Sequence, residues 1–286
     1  MPGNEPLAAA IAGKMATDLG SLETRSFPDG ETYLRFQVDP KDRHIILVCT
    51  LDRPDPKFIP LMFAADAARE LGANKVSLVA PYLCYMRQDK RFQPGEAVTS
   101  VSFARMLSAS FDALVTVDPH LHRYGSLANI YSIDTAVVHS APLIAEWIDK
   151  NESAPVLIGP DIESEQWVSD VAGRVNAPYR VLRKERLGDR KVEITIPDMQ
   201  QFRNRTPVLI DDIVSSGRTM IEAARQLRDQ GLPAPICIAV HALFSLETQD
   251  ALLKLAGRVV SSNTVPHPTN EIDVSQAVSA ELQRIS

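Results

Sequence analysis

Cysteine is scarce in this chain, whose 286 residues include three, at Cys49, Cys84 and Cys237. The three are far apart in the sequence and each lies in an apolar context, which indicates reduced thiols in a protein core. A zinc site would need tighter clustering of its ligands, so the cysteines predict none. Free cysteines of this kind are expected in a cytoplasmic protein.

Long apolar runs and glycine-rich nucleotide motifs are absent. No apolar run approaches the roughly 18 residues that a membrane-spanning helix needs, so we expect no membrane partner. The N-terminus carries polar and small residues, and Lys14 interrupts its short apolar part, so it does not resemble a secretory signal. The chain lacks a Walker A sequence and the glycine fingerprint of dinucleotide-binding folds, so any use of ATP must rely on another architecture.

Positive charge does not dominate either. The formal net charge is −6 at pH 7, which argues against nucleic acid as the main partner. An anionic ligand must therefore meet Lys and Arg residues that are concentrated locally. The chain has 45% hydrophobic and 23% charged residues, the balance of a soluble globular protein, and its length predicts two domains.

Short strand-like runs alternate with amphipathic or alanine-rich segments along the sequence. This alternation predicts an α/β fold of mainly parallel sheets flanked by helices. The clearest predicted strands are Ile45–Cys49, Val76–Ala80, Ala113–Asp118, Val156–Gly159, Tyr179–Leu182, Val192–Ile196, Val208–Ile210 and Ile236–Ala242. The clearest predicted helices are Pro60–Leu71, Thr99–Leu107, Ala141–Lys150, Glu165–Val175 and Thr219–Gln230. A polar link at Lys150–Pro155 places the boundary near residues 139–154, so we assign residues 1–140 and 141–286 to two similar domains.

The most informative stretch is the one that follows the predicted strand Val208–Ile210. We expect that strand to end at two carboxylates, and the loop and helix start beyond them to bind a phosphate dianion through backbone N–H groups. The acidic pair would repel a lone phosphate but would accept hydrogen bonds from the hydroxyls of a phosphorylated sugar. A solvated turn with capping Ser and Asp is the alternative. The predicted sugar-phosphate site comprises Asp211, Asp212, Ser215, Ser216, Gly217, Arg218 and Thr219.

Two segments of the first half have a composition that matters for ligand binding. Pro81–Arg91 follows a predicted strand directly and combines two tyrosines, three cations and a glutamine, a mixture suited to polyphosphate and a flat base. The alternative interpretation of Pro81–Arg91 is a surface loop with solvated charges. Phe27–Glu31, taken by itself, is a Pro/Gly turn that enters a predicted strand at Thr32–Val38.

Acidic residues and a histidine mark two other strand ends. Asp118 and His120 lie at the edge where ligands of open α/β sheets bind, although a lone histidine is more often structural or exposed. We treat His122 as a surface residue. Asp161 follows another predicted strand and is a candidate Mg²⁺ ligand, because Mg²⁺ usually takes one or two protein ligands and fills its remaining positions with water and phosphate.

A basic run, Arg183–Arg186, ends the predicted strand Tyr179–Leu182. On an extended backbone Lys184 and Arg186 project to one face. Two cations on one face, near a phosphate site, are suited to stabilising charge on a transferring phosphoryl group. A solvated charged face is the alternative.

Together, and in this order, these segments resemble the ribose-phosphate pyrophosphokinases, also called phosphoribosyl pyrophosphate synthetases, over nearly the whole chain. The resemblance implies two phosphoribosyltransferase-type domains and a homo-oligomer in which the Phe27–Glu31 turn reaches the adenine of ATP on a neighbouring subunit. It implies ATP contacts from Phe27, Asp29, Gly30, Glu31, Arg87, Gln88, Asp89 and His120. It also implies Mg²⁺ ligands at His120 and Asp161, catalytic Lys184 and Arg186, and a further role for Arg186 at the ribose 5-phosphate site.

The resemblance implies a reaction with two substrates, ATP and ribose 5-phosphate. In this Mg²⁺-dependent reaction the diphosphoryl group of ATP moves to the C1 hydroxyl of ribose 5-phosphate, giving phosphoribosyl pyrophosphate and AMP. A phosphoribosyltransferase is one alternative, but the Arg87-Gln88 segment and the two-domain length do not fit it. A non-catalytic regulatory homologue is another, and its expected mark would be loss of Lys184, Arg186 or His120, all of which are present.

Three departures from the family pattern lie near the proposed site. Ile162–Ser164 replaces two glycines that follow Pro-Asp, which adds bulk and a charge near the proposed metal ligand. Ser215 and Arg218 alter the phosphate loop, and Pro119 stands where the family usually has leucine. None of these changes removes a proposed reacting group.

Overall fold

The computed structural model describes residues 1–121, 123–160, 164–187, 191–195 and 197–285, and among these the side chains of residues 166, 183–187 and 191–195 are not described. The chain divides into two compact units. The first consists of Met1–Val138 with Ser275–Ser286, and the second of His139–Val274.

The first unit is built on a four-stranded parallel sheet with the order β3-β4-β5-β6, preceded by the antiparallel hairpin β1–β2. Its strands are β1 (Leu22–Ser26), β2 (Thr32–Phe36), β3 (His44–Val48), β4 (Lys75–Ala80), β5 (Ala113–Val117) and β6 (Asp134–Val138). Its helices are α1 (Glu5–Met15), α2 (Pro54–Glu70), α3 (Thr99–Ser110) and α8 (Ser275–Ile285). The central strands β4 and β5 are apolar and buried almost throughout, as expected for parallel strands covered on both faces.

The second unit contains a six-stranded parallel sheet with the order β14-β13-β12-β11-β7-β8 and a separate antiparallel hairpin, β9–β10. Its strands are β7 (Pro155–Gly159), β8 (Tyr179–Val181), β9 (Arg183–Leu187), β10 (Lys191–Thr195), β11 (Thr206–Val214), β12 (Ile236–Ala242), β13 (Arg258–Ser262) and β14 (Asn270–Ile272). Its helices are α4 (Ala141–Asn151), α5 (Glu165–Arg174), α6 (Arg218–Asp229) and α7 (Leu246–Leu253). Helix α6 buries Met220, Ala223, Ala224 and Leu227 in the core of this unit.

The predicted fold class is confirmed, because both sheets are parallel and flanked by helices. Most predicted elements differ from the structure by a few residues at their ends, and three differences are larger. Strand β11 runs to Val214 instead of stopping at Ile210, and α2 begins at Pro54, although it contains Pro60. The basic run does not extend β8, because the chain leaves the sheet after Val181 and forms the hairpin β9–β10.

The C-terminal helix α8 also differs from the prediction. The sequence predicts a single domain at residues 141–286, whereas Ser275–Ser286 belong to the first unit. Helix α8 packs there against α1, β5 and β6, and the Ile285 carbonyl accepts a hydrogen bond from Lys75 at 2.7 Å. Among the residues that the structure describes, no helix combines the length and apolar character that crossing a membrane requires.

Candidate active site

The acidic pair lies inside β11 and not beyond its end. Pairing of β11 with β7 stops at Leu209, but pairing with β12 continues through Asp211 to Val214, which keeps the chain extended. Adjacent strand residues face opposite sides, so the half-buried carboxylates of Asp211 and Asp212 flank the strand. Asp212 Oδ1 also accepts from the Ile213 N–H at 2.7 Å, which fixes its carboxylate locally.

The loop after β11 has the backbone geometry of an anion site. Gly217 precedes α6 with φ +67°, a left-handed conformation that costs glycine little. Because this residue has no side chain, it cannot cap the first N–H groups of α6 as Ser or Asp would. Ser215, Ser216 and Arg218 are exposed around these N–H groups. A dianion at this helix start would meet backbone donors and the positive end of the helix dipole.

Helix α7 restricts the same loop from the side. A Cβ on residue 217 would lie 2.4 Å from Thr248 Cγ2, so no side chain fits there unless the loop, the Thr248 side chain or α7 shifts. The side chain of Ser245 accepts from the Thr248 N–H at 3.3 Å and caps α7. The Thr248 methyl group therefore packs directly on the loop, a contact that no local pattern in the sequence indicates.

In the first unit, the segment after β4 lines a cleft of about 280 Å³. The lining residues are Leu51, Asp52, Pro54, Tyr82, Cys84, Tyr85, Arg87, Gln88 and Thr99. Arg87 is exposed, and the Gln88 side chain accepts a hydrogen bond from Thr99 Oγ1 at 3.2 Å. The cleft thus brings together Arg87 and Gln88, two of the predicted ATP contacts.

Tyr85 lies at the mouth of this cleft. It has φ +59°, an uncommon backbone conformation for a bulky residue, and its hydroxyl is hydrogen-bonded to Asp55. That hydrogen bond, more than burial, raises the pKa of Tyr85 to about 12.

Asp89, also a predicted ATP contact, is turned into the protein. Its side chain is 1% exposed, and both carboxylate oxygens accept hydrogen bonds from Arg123 Nη1, at 2.8 and 2.9 Å. The two residues are 34 positions apart, so nothing local in the sequence indicates their pairing. The carboxylate serves an internal ion pair in this structure.

The predicted nucleotide turn forms the tip of the hairpin β1–β2. Phe27, Asp29, Gly30 and Glu31 are all exposed there. Gly30 has φ +92°, and the Phe27 N–H donates to the Glu31 carbonyl at 2.8 Å, which closes the turn. The Arg25 guanidinium lies 4.7 Å from the centroid of the Phe27 ring.

The remaining predicted residues are placed only in part. His120 is half-buried three residues beyond the end of β5, after Asp118. Asp161 and His122 lie outside the described residues. Lys184 and Arg186 lie on β9, opposite Ile194 and Val192 of β10, but their side chains are not described. Within the described part of the chain there is no group of three or more His, Cys, Asp and Glu residues able to hold a metal ion.

The three cysteines are free and buried, as predicted. Desolvation raises the pKa of the Cys49 thiol to about 11 and that of Cys237 to about 12, and it also raises the pKa of Cys84. All three thiols are therefore protonated at neutral pH.

The two halves of the sequence match two families of domains. Residues 1–110 match the N-terminal domain of ribose phosphate pyrophosphokinase, and residues 126–275 match the phosphoribosyl transferase domain. The chain belongs to the ribose-phosphate pyrophosphokinase family. Relatives from this family match almost end to end.

One such relative, a ribose-phosphate pyrophosphokinase from Methanopyrus kandleri, is 34% identical over 98% of this chain and 96% of its own length. Another, from Saccharolobus solfataricus, is 31% identical over 94% of each chain. The crystal structure of phosphoribosylpyrophosphate synthetase from Mycobacterium smegmatis has the same fold, with a TM-score of 0.82 at 20% identity over 98% of this chain and 95% of its own.

Proposed function

We propose that the protein transfers the diphosphoryl group of ATP to the C1 hydroxyl of ribose 5-phosphate, giving phosphoribosyl pyrophosphate and AMP. The observation that carries this conclusion is the near full-length match to ribose-phosphate pyrophosphokinases, at 34% identity for the relative from Methanopyrus kandleri. The activity needs a nucleotide site and a sugar-phosphate site, and the two units of the structure offer one candidate for each.

The first unit would bind ATP. Arg87 faces the cleft after β4 with its charge exposed, and Gln88 offers an amide whose orientation Thr99 sets. This pair is suited to the phosphates and the ribose or base of a nucleotide, because a guanidinium binds phosphate through charge-assisted hydrogen bonds. His120 belongs to the same unit and would lie near the phosphates.

The second unit would bind ribose 5-phosphate. The 5-phosphate would accept hydrogen bonds from the N–H groups of Ser215–Thr219 at the start of α6. Asp211 and Asp212 would accept hydrogen bonds from the ribose hydroxyls, and Arg186 would add a cation. The half-buried carboxylates beside an exposed loop support this arrangement.

The chemical step is an in-line displacement at phosphorus. The C1 oxygen of the sugar bonds to the β-phosphorus and its hydroxyl proton passes to water, while the bond from that phosphorus to the oxygen bridging to the α-phosphate breaks, which releases AMP. Negative charge builds on the transferring group, and we assign its stabilisation to Lys184 and Arg186. Catalysis then depends on positioning and electrostatics.

The cofactor we propose is Mg²⁺, held by His120 and Asp161 together with the phosphates of ATP. The carboxylate of Asp161 would supply the oxygen donor that Mg²⁺ prefers, and two protein ligands match the one or two that the ion usually uses before water and phosphate complete its shell. The ion would neutralise phosphate charge. His120 lies just beyond the end of β5, an edge where such ligands bind.

We further propose a cytoplasmic homo-oligomer. The exposed tip of β1–β2, with Phe27 40% exposed, is suited to reach the ATP of a neighbouring subunit. Ile59 and Phe63, one turn apart on α2 and each 50% exposed, offer apolar area for subunit contacts. The three free, buried thiols fit a reducing compartment.

A product assay tests the function. With ATP, Mg²⁺ and ribose 5-phosphate we expect AMP, and we expect none when the sugar is omitted. Chromatographic quantification of AMP and ADP distinguishes the outcomes. ADP as the sole product would contradict diphosphoryl transfer, and binding of ribose 5-phosphate without turnover would favour a regulatory homologue.

A further inference from the structure

The segment Arg87–Asp89, which we call the nucleotide segment because we propose that it binds ATP, is fixed by contacts from two sides. On one side, the N-terminal turn of α3 holds Gln88, because Thr99 Oγ1 donates to its side chain at 3.2 Å and the Ser100 N–H to its carbonyl at 3.3 Å. On the other, Tyr124 Oη donates to the Asp89 carbonyl at 3.0 Å. Ser100 Oγ and Tyr124 Oη are themselves 3.0 Å apart, which joins the two sides.

Charge enters this network through Arg123 and Asp89. Nη1 of Arg123 lies between the two carboxylate oxygens, at 2.8 and 2.9 Å, and the guanidinium is 5.5 Å from the centroid of the Phe92 ring. The Asp89 side chain is 1% exposed, whereas that of Arg123 is 42% exposed. Arginine therefore gives up little hydration to neutralise a carboxylate that water cannot reach.

Without Arg123 the segment would face ATP with an unpaired negative charge. A buried carboxylate that loses its partner either reorganises the backbone around it or repels phosphates nearby. Both effects act on Arg87 and Gln88, which adjoin Asp89 in the chain and line the cleft.

We propose that Arg123 is a positioning residue for ATP. It neutralises and orients Asp89 so that Arg87 and Gln88 face the cleft, and it ties them to the loop that carries His120. This inference rests on the proposed function, because it takes the cleft to be the ATP site.

The test compares two substitutions at position 123 with one at a matched ion pair. Arg123→Met keeps the apolar stem and removes the donors, and we expect it to raise both the Kd and the KM for ATP about tenfold. Arg123→Lys should stay within about threefold of the wild type, because only one nitrogen of Arg123 bonds to Asp89.

The control is Arg174→Met, whose arginine pairs with Asp170 at 3.1 Å on the surface of the second unit and is 45% exposed. That variant should leave the Kd and KM for ATP unchanged. In all three variants the KM for ribose 5-phosphate should change by less than about twofold, because Asp89 and Asp170, the partners of Arg123 and Arg174, are not among the residues proposed to bind that sugar.

Asp89→Asn completes a double-mutant cycle. A neutral amide needs no counter-charge, so adding Arg123→Met to Asp89→Asn should cost much less ATP affinity than Arg123→Met does alone. Full additivity would mean that Arg123 does not act through Asp89, and would overturn the proposal. So would an unchanged Kd for ATP in Arg123→Met, or equal increases in the KM of both substrates together with a lowered melting temperature.

Calorimetric titration of ATP needs no turnover, so it separates this inference from the proposed function. If the wild type binds ATP but forms no AMP, the reaction is wrong and the ATP affinities of the variants still decide the role of Arg123. If AMP forms normally and Arg123→Met binds ATP as the wild type does, only the inference fails.

Discussion

The two units have parallel sheets of similar design but present different chemistry at their candidate ligand sites. In the first unit, side chains form the candidate nucleotide site, and hydrogen bonds and an ion pair hold Gln88 and Asp89 in place. In the second, the candidate phosphate loop offers backbone N–H groups, and the left-handed Gly217 packed under Thr248 sets its shape. The first site depends on residue identity, the second on backbone conformation.

This difference matches the two proposed ligands. A sugar monophosphate presents one compact dianion, which a helix start can bind through backbone donors alone. ATP presents a chain of phosphates and a flat base, which need cations and amides placed over a longer distance. Substitutions should therefore act through lost charge in the first unit and through altered backbone geometry in the second.

The largest effect is expected at Lys184. This residue would be an exception to the contrast between the units, because it would supply a side-chain charge from the second unit, where backbone geometry otherwise decides binding. Lys184→Ala should lower kcat by about 10²-fold or more, the usual scale for losing one preorganised electrostatic group. Steady-state kinetics with both substrates measure this. An increase in KM with unchanged kcat would show that Lys184 only binds substrate.

The next effect is expected at Gly217, where the comparison predicts that geometry alone decides binding. Gly217→Ala places a Cβ 2.4 Å from Thr248 Cγ2 at φ +67°, so the loop or Thr248 must shift, and the left-handed backbone is strained in either case. Strain and clash of about 2 kcal/mol correspond to roughly thirtyfold weaker binding of ribose 5-phosphate, with ATP binding unchanged. Calorimetric titration of each ligand measures both affinities.

Gly231, at the other end of α6, provides the control for Gly217. Its φ is +81°, and a Cβ added there would meet the Arg203 side chain at an ordinary 3.6 Å. Gly231→Ala should destabilise the fold by about 1 kcal/mol and leave ribose 5-phosphate binding unchanged. Equal losses of affinity in both variants would mean that general destabilisation, and not loop shape, explains the result.

The smallest effect is expected at Asp211, where a side chain supplements the backbone site. Asp211→Asn keeps the size but weakens charge-assisted hydrogen bonds to the ribose hydroxyls, so affinity for ribose 5-phosphate should fall about tenfold. Calorimetry at low and high Mg²⁺ measures this. Full rescue by Mg²⁺ would show that Asp211 binds the metal instead of the sugar.

The sequence predicts much of the sheet because buried parallel strands are continuous apolar runs. Strand β12 has the bounds that the sequence predicts, Ile236–Ala242. The end of β11 differs from the prediction. By composition Asp211 and Asp212 indicate a loop, whereas pairing with β12 keeps them extended. The predicted helix α2 is too short because prolines usually interrupt helices.

Contacts between distant segments could not be predicted. Arg87, Gln88 and Gly217 stand out by residue type and position, so local reasoning finds them. Arg123 and Thr248 act through partners 34 and 31 positions away and carry no local pattern. The family resemblance implies an ATP contact for Asp89, but the burial of Asp89 depends on the tertiary structure.

Alkylation of the three buried thiols can report the unfolding of each unit. Thiolates are the form of cysteine that reacts with alkylating reagents, and these three cysteines are both shielded and protonated in the folded state. Labelling therefore requires local or global unfolding, which exposes Cys49 and Cys84 in the first unit and Cys237 in the second. Mass spectrometry of labelled peptides could follow the opening of each unit separately. A cysteine introduced on the surface could carry a spectroscopic probe without removal of the native three.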